Sequence, residues 1–148
     1  MQLVLDASIL FRALIGKGKV LRILFSDKVN LLAPEFLFEE FKNNKSEIAD
    51  KGKVSISEVE EILNLLKERI QIIPSEDVSS SIKLKAKGIS PHPKDEVYFA
   101  VALAFNVIIW SEEKSFKKQS EVKVYNTEEL IKIIEFWILI LSSSIMSV

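Results

Sequence analysis

Carboxylate is the one group suited to catalysis that this chain holds in quantity. Its 148 residues include five Asp and sixteen Glu, with no Cys and a single histidine, His92. The absence of thiols excludes disulfide scaffolds, zinc–thiolate centres and thiol catalysis. One histidine rules out multi-histidine zinc sites and argues against a Ser–His–Asp triad. Chemistry here should therefore run through hard cations held by oxygen ligands. Four acids from four separate segments stand out: Asp6, Glu40, Asp95 and Glu113. Three of them have ordinary alternatives, since Asp6 and Asp95 stand where helix caps are expected and Glu113 sits among surface-type residues. Glu40 discriminates. At 100° per residue, Phe36, Leu37 and Phe41 define an apolar arc that contains Glu40 and leaves Glu39 outside it. A carboxylate among phenylalanines needs a partner, and no basic residue shares that arc. Acids that share one site repel one another until cations neutralise them, so one or two Mg²⁺ or Mn²⁺ ions are the expected partners.

The elements that must position these acids follow from the apolar pattern. Leu3–Leu5 reads as a strand buried on both faces and ended by Asp6. Ala7–Leu14 and Val20–Phe25 read as helices separated by a break at Gly16–Lys17–Gly18. Leu31–Ala33 is a second strand, with Pro34 where a helix can begin. Ser57 and Glu60 form a capping box for a helix running to Ile70, whose stripe is Val59, Ile62, Leu63, Leu66 and Ile70. A helix over Asp77–Lys87, closed by Gly88, precedes the Pro91–Pro93 punctuation. Lys94–Phe105 then forms a buried helix, apolar nearly all round. Strands at Val107–Trp110 and Val122–Tyr125 precede a last helix over Thr127–Trp137, capped by Asn126 or Thr127.

Alternating strands and helices predict an α/β fold: a three-layer α/β/α sandwich on a mostly parallel sheet of four to five short strands. The helical material between Pro34 and Lys87 is expected to be an inserted helical hairpin. In such a sheet, ligands gather beyond the carboxyl ends of the strands, where all four acids would converge. A single domain is expected over residues 1–135, with an apolar tail, 136–148, extending the last helix. No signal-peptide pattern opens the chain, and neither Val97–Phe105 nor Phe136–Leu141 is long enough to span a bilayer. The expectation is a cytoplasmic protein without membrane contact. A formal net charge of −1 confines any nucleic-acid contact to a local patch. Lys17, Lys19, Lys83, Lys85, Lys87 and Lys114 are candidates for phosphate contacts. Trp110 fits a core position better than a base-stacking one. The six apolar residues Phe136–Leu141 call for cover by a second subunit, making a homodimer, or by a partner's segment.

The segments LVLDASILFRALI, LLAPEFLFEEF, PKDEVYFAVALAF, IIWSEEKSF and VKVYNTEEL, in this order and spacing, resemble the PIN-domain family, particularly its small archaeal and bacterial single-domain members. The likeness spans residues 1 to about 135. It implies a metal-dependent endoribonuclease using Mg²⁺ or Mn²⁺ on single-stranded regions of RNA, with a possible role as toxin beside an antitoxin protein. Carried over residue by residue, the family's first acid falls on Asp6, its second on Glu40, its third on Asp95 and its last on Glu113. Ser111 takes the place of the hydroxyl ahead of the last acid. Ser8 falls in the first motif, as a helix cap or a support for a metal-bound water. The chain departs from the family pattern where Glu113 and Ser115 replace the usual aspartates. That departure leaves an alternative: a catalytically weak or silent PIN-like domain that binds RNA or protein. A haloacid-dehalogenase-type phosphatase is disfavoured because Ser8 stands where its second acid is needed. A response-regulator receiver is disfavoured because no paired acids follow the first strand.

Overall fold

The computed structural model describes residues 1–15 and 18–146, so most of the expected break at Gly16–Lys17 lies outside the described residues. Five strands, β1 (Gln2–Leu5), β2 (Asn30–Pro34), β3 (Ile70–Ile73), β4 (Ile108–Trp110) and β5 (Val124–Tyr125), form one parallel sheet in the order β3-β2-β1-β4-β5. Its central strands are apolar on both faces. Leu3, Val4, Leu5, Leu32, Ala33, Ile109 and Trp110 are all buried, as a sheet covered by helices on both sides requires.

The helices are α1 (Ala7–Leu14), α2 (Gly18–Leu24), α3 (Phe36–Asn43), α4 (Lys45–Gly52), α5 (Ile56–Arg69), α6 (Ser80–Ile89), α7 (Glu96–Phe105) and α8 (Thr127–Met146). The chain steps from β1 to β2 to β3 in one direction, then returns past β1 to β4 and β5. Because parallel crossovers are right-handed, this reversal puts α1–α5 on one face and α6–α7 on the other. Accordingly α7 packs on β1, β2 and β4 and carries α6 outside it, while α1 packs on α2, α3 and α4. The reversal also leaves a crevice between β1 and β4, at their carboxyl ends. Among the described residues no helix is long and apolar enough to cross a membrane.

Several local expectations shift. The segment from Pro34 to Lys87 does contain a packed helical pair, α4 and α5, but it also holds a strand, β3. Ile70 continues the apolar stripe of α5, and Arg69 passes into Ile70 with no turn residue between, so periodicity alone runs helix into strand. Pairing decides the boundary: Leu31–Pro34 of β2 dock in parallel register on Ile70–Ile73. The α5 cap is Ser55 rather than Ser57, with the Glu58 N–H donating to Ser55 Oγ at 3.0 Å. The same Ser-x-x-Glu spacing occurs twice here, two residues apart, and the helix takes the earlier one. Likewise α6 starts at Ser80, because Ser79 caps it, and Gly88 lies within its last turn rather than closing it. Pro93–Asp95 forms a separate 3-10 turn, so α7 begins one residue after Asp95. At α8 the cap is Asn126, in a reciprocal box: Glu129 N–H donates to Asn126 Oδ1 at 2.9 Å and Asn126 N–H to Glu129 Oε1 at 3.1 Å.

Among the described glycines, Gly52 is the one needed for space. A Cβ at Gly52, in the last turn of α4, would stand 2.8 Å from the Leu14 carbonyl oxygen at the end of α1. Backbone on both sides leaves little room to yield. Gly52→Ala is expected to cost about 1–3 kcal/mol. Urea unfolding should show this as a lower midpoint at unchanged slope.

Candidate active site

The register of the central strands builds the site. Leu5 of β1 pairs with Trp110 of β4, so the next residues, Asp6 and Ser111, leave the sheet side by side at the crevice where strand order reverses. Asp6 is only 3% exposed and Ser111 2%. Ser111 Oγ–H donates to Asp6 Oδ2 at 2.5 Å, and Ser8 Oγ–H donates to Asp6 Oδ1 at 2.5 Å. Each hydroxyl is fixed in turn from the loop after β4. Glu112 N–H donates to Ser8 Oγ at 3.2 Å and Glu113 N–H to Ser111 Oγ at 3.0 Å. Ser8 is therefore a support of Asp6, not a helix cap. Asp6 precedes α1 and Asp95 precedes α7, but neither side chain makes a capping hydrogen bond. The ordinary account of both acids fails on geometry.

Asp6, Glu40, Asp95 and Glu113 line a single cleft of about 180 Å³, together with Ala7, Ser8, His92, Lys94, Tyr98 and Ser115. Glu40 reaches it from α3, where it is half-buried while Glu39 is exposed, as the apolar arc required. Asp95, 9% exposed, enters from the 3-10 turn. Glu113 is the most exposed of the four and borders the mouth. Among the described residues none of the four forms an ion pair. Burial pushes the Asp6 carboxyl up to about 6, against the pull of the Ser111 and Ser8 hydroxyls, and the Glu113 charge pushes the same way. Asp95 is also raised, chiefly by burial; nearby Lys94 and His92 oppose this, and Glu113 and Glu40 add to it. These mutual effects are those of carboxylates sharing one electrostatic site.

Tyr98 is the residue that the sequence reading passed over. It lies three positions after Asp95, thus on the same face of the helical segment, and is buried. Its Oη–H donates to Glu40 Oε2 at 3.5 Å. The phenol's own ionisation is pushed up by burial and by Glu40, Asp6 and Asp95, so it stays a donor. A hydroxylated ring in an alanine-rich buried helix was the available signal. Tyr98→Phe is expected to weaken divalent-ion binding several-fold by freeing Glu40, with an unchanged melting curve. Calorimetric titration with Mn²⁺ checks this, and equal affinity would make Tyr98 a core residue only.

Glu112 anchors the loop. Its Oε1 accepts from the Thr127 N–H at 3.1 Å and from the Thr127 hydroxyl, and Trp110 Nε1–H donates to Thr127 Oγ1 at 3.1 Å. The start of α8 thereby holds the loop that supplies Ser111. Trp110 is fully buried, as expected of a core residue. Of the lysines considered for phosphate contact, Lys19 pairs with Glu128, Lys85 with Glu121, and Lys83 donates to Ser75 Oγ. Lys17 lies outside the described residues. Among the described residues that line the cleft, the lysine is Lys94, beside His92.

The donor set is all oxygen, anionic and without a paired cation, which fits hard divalent ions rather than thiophilic ones. As the side chains stand, no three Asp, Glu or His residues among those described are close enough together to hold a metal ion.

Fold and site together define a parallel α/β domain with an acid-lined cleft at the switch point of its sheet. The PIN domain model matches residues 4–133, and the chain belongs to that family. No curated protein gives a significant match. Among solved structures, PAE2754 from Pyrobaculum aerophilum is similar at 14% identity and a TM-score of 0.62, over 91% of this chain and 90% of that one. VapBC2 from Rickettsia felis, bound to a DNA fragment from their promoter, is similar at 17% identity and a TM-score of 0.62, over 85% and 98%. VapBC-1 from nontypeable Haemophilus influenzae is similar at 15% identity and a TM-score of 0.62, over 86% and 99%. At these identities the likeness is one of fold.

Proposed function

We propose that this PIN-domain protein is a metal-dependent endoribonuclease that cuts single-stranded RNA, with Asp6, Glu40, Asp95 and Glu113 holding Mg²⁺ or Mn²⁺. One observation carries the reading. Asp6 is buried at the switch point with both oxygens held by hydroxyls and no cation beside it, a costly arrangement that a divalent ion would relieve. Such ions, when bound, supply activation of water and neutralisation of the phosphodiester's developing charge. The chain's own groups prepare that step. Ser8 and Ser111 fix the direction of Asp6, and Tyr98 holds Glu40 toward the cleft. Lys94 and His92 offer donors in a cleft wall otherwise hostile to phosphate. The fold relatives bearing the VapBC name, that of toxin–antitoxin pairs, support the toxin role and an antitoxin partner.

A second reading has its own support. Glu113 and Ser115 stand where the family pattern has aspartates, and among the described residues no three acids lie close enough together to hold a metal ion, although all four line one cleft. A silent domain that binds RNA or protein would look the same. Incubating the protein with a structured RNA carrying single-stranded loops, with Mn²⁺, Mg²⁺ or EDTA, separates the two. Cleavage confined to the loops and abolished by EDTA is expected. RNA retained but uncut, at a site the Asp6→Asn variant shares, would favour the silent domain.

A further inference from the structure

The last helix changes character halfway along. In its first part Leu130 is buried and Ile131 and Ile134 pack against the core, with Glu128, Glu129, Lys132 and Glu135 on the other sides. Beyond Glu135 the sequence carries no charge. Phe136, Trp137, Ile138, Leu139, Ile140 and Leu141 are between 45% and 66% exposed. Consecutive residues on an α-helix step 100° apart, so these six surround it and form no single stripe. The segment also lies past residue 133, where the PIN-domain match ends.

We propose that Phe136–Leu141 is a homotypic interface through which two copies of this chain pair. Six half-exposed large side chains leave on the order of 500 Å² of apolar surface, near the upper limit for a monomer. That is more than half of the roughly 800 Å² per partner in a standard interface. The chain's own body covers one side only. Met1, Lys28, Ile134, Trp137, Ile138 and Leu141 line a groove of about 180 Å³ at the root of the segment. A lipid surface is a poor occupant: among the described residues no helix is long and apolar enough to cross a bilayer. Lying flat, it would need a basic polar face that an all-round apolar segment lacks. A second copy fits better. An uncharged segment presents nothing that repels itself across a two-fold axis.

The test measures mass in solution and involves no cleavage, so its outcome is independent of the nuclease reading. Light scattering on the full chain at tens of micromolar should give twice the 16.8 kDa monomer. Leu139→Glu combined with Phe136→Glu should give a monomer with an unchanged circular dichroism spectrum, since both side chains are exposed in one copy. The chain has no cysteine, so single Cys substitutions at 136–141 should cross-link on oxidation at the positions facing the axis. A monomeric parent, a broad distribution of masses, or a dimer that survives the double substitution would each overturn the proposal. So would a parent that floats with anionic phosphatidylserine vesicles and is monomeric without them.

Discussion

Asp6→Asn should abolish metal-dependent RNA cleavage, by roughly 10²-fold or more, while making the metal-free protein more stable at neutral pH. The two effects share a cause. In the folded protein burial raises the Asp6 carboxyl from 3.8 to about 6. Between those values the native state binds more protons than the unfolded chain, so stability falls as pH rises from about 4 to 6 and then levels off. The full span corresponds to about 3 kcal/mol. Well below pH 4 the carboxyl is neutral in both states and the penalty vanishes. Asparagine removes the charge and keeps one acceptor, Oδ1. Its Nδ2 is a donor, so one of the two serine hydroxyls that donate to Asp6 must turn to accept from it, a cost smaller than the charge penalty removed. Urea melts of both proteins, metal-free, at pH 4 to 7 should show the difference between them growing over that window. Mn²⁺ should then raise the melting temperature of the parent and leave that of Asp6→Asn unmoved. Undiminished cleavage by the variant would place the nuclease site elsewhere.

The Glu113 series should separate the two ions. Glu113 borders the cleft mouth and is exposed, on a side chain one methylene longer than the aspartate of the family pattern. Magnesium demands near-ideal octahedral geometry, and a looser oxygen set penalises it more than manganese. Cleavage should therefore be clearly stronger with Mn²⁺ than with Mg²⁺. Glu113→Asp should recover part of the Mg²⁺ activity, and Glu113→Ala should reduce cleavage about 10- to 100-fold with either ion. The main-chain N–H of residue 113, which donates to Ser111 Oγ, survives all three side chains, so the Asp6 support is not disturbed. Titration of the three proteins with both ions, beside single-turnover cleavage, reads the result. An alanine variant with unchanged ion affinity and rate would make Glu113 a solvated surface acid.

Much of this protein was readable from residue types alone. Leu3–Leu5 ended by Asp6, the alternation of strands with helices, and Glu40 lying on the apolar arc of its helix are local facts, and local periodicity carries them. What failed was also local in appearance but decided elsewhere. Ile70 continues a helical stripe perfectly well, and only pairing with β2 makes it a strand. Ser55 and Ser57 offer the same Ser-x-x-Glu spacing, and the helix is capped by the first. The site divides in the same way. Sequence pointed to the four acids, Glu40 by the apolar arc it shares and the others by their places at the ends of strands and helices. It could not show that Ser8 holds Asp6 instead of capping a helix, that Tyr98 reaches Glu40 across 58 positions, or that Glu112 ties its loop to Thr127. Those contacts exist because a right-handed, reversing strand order sets β1 beside β4 and lays α7 across them. Residue identity fixes which groups are available and which faces seek burial; distances between groups far apart in the chain are set only when the whole sheet is assembled.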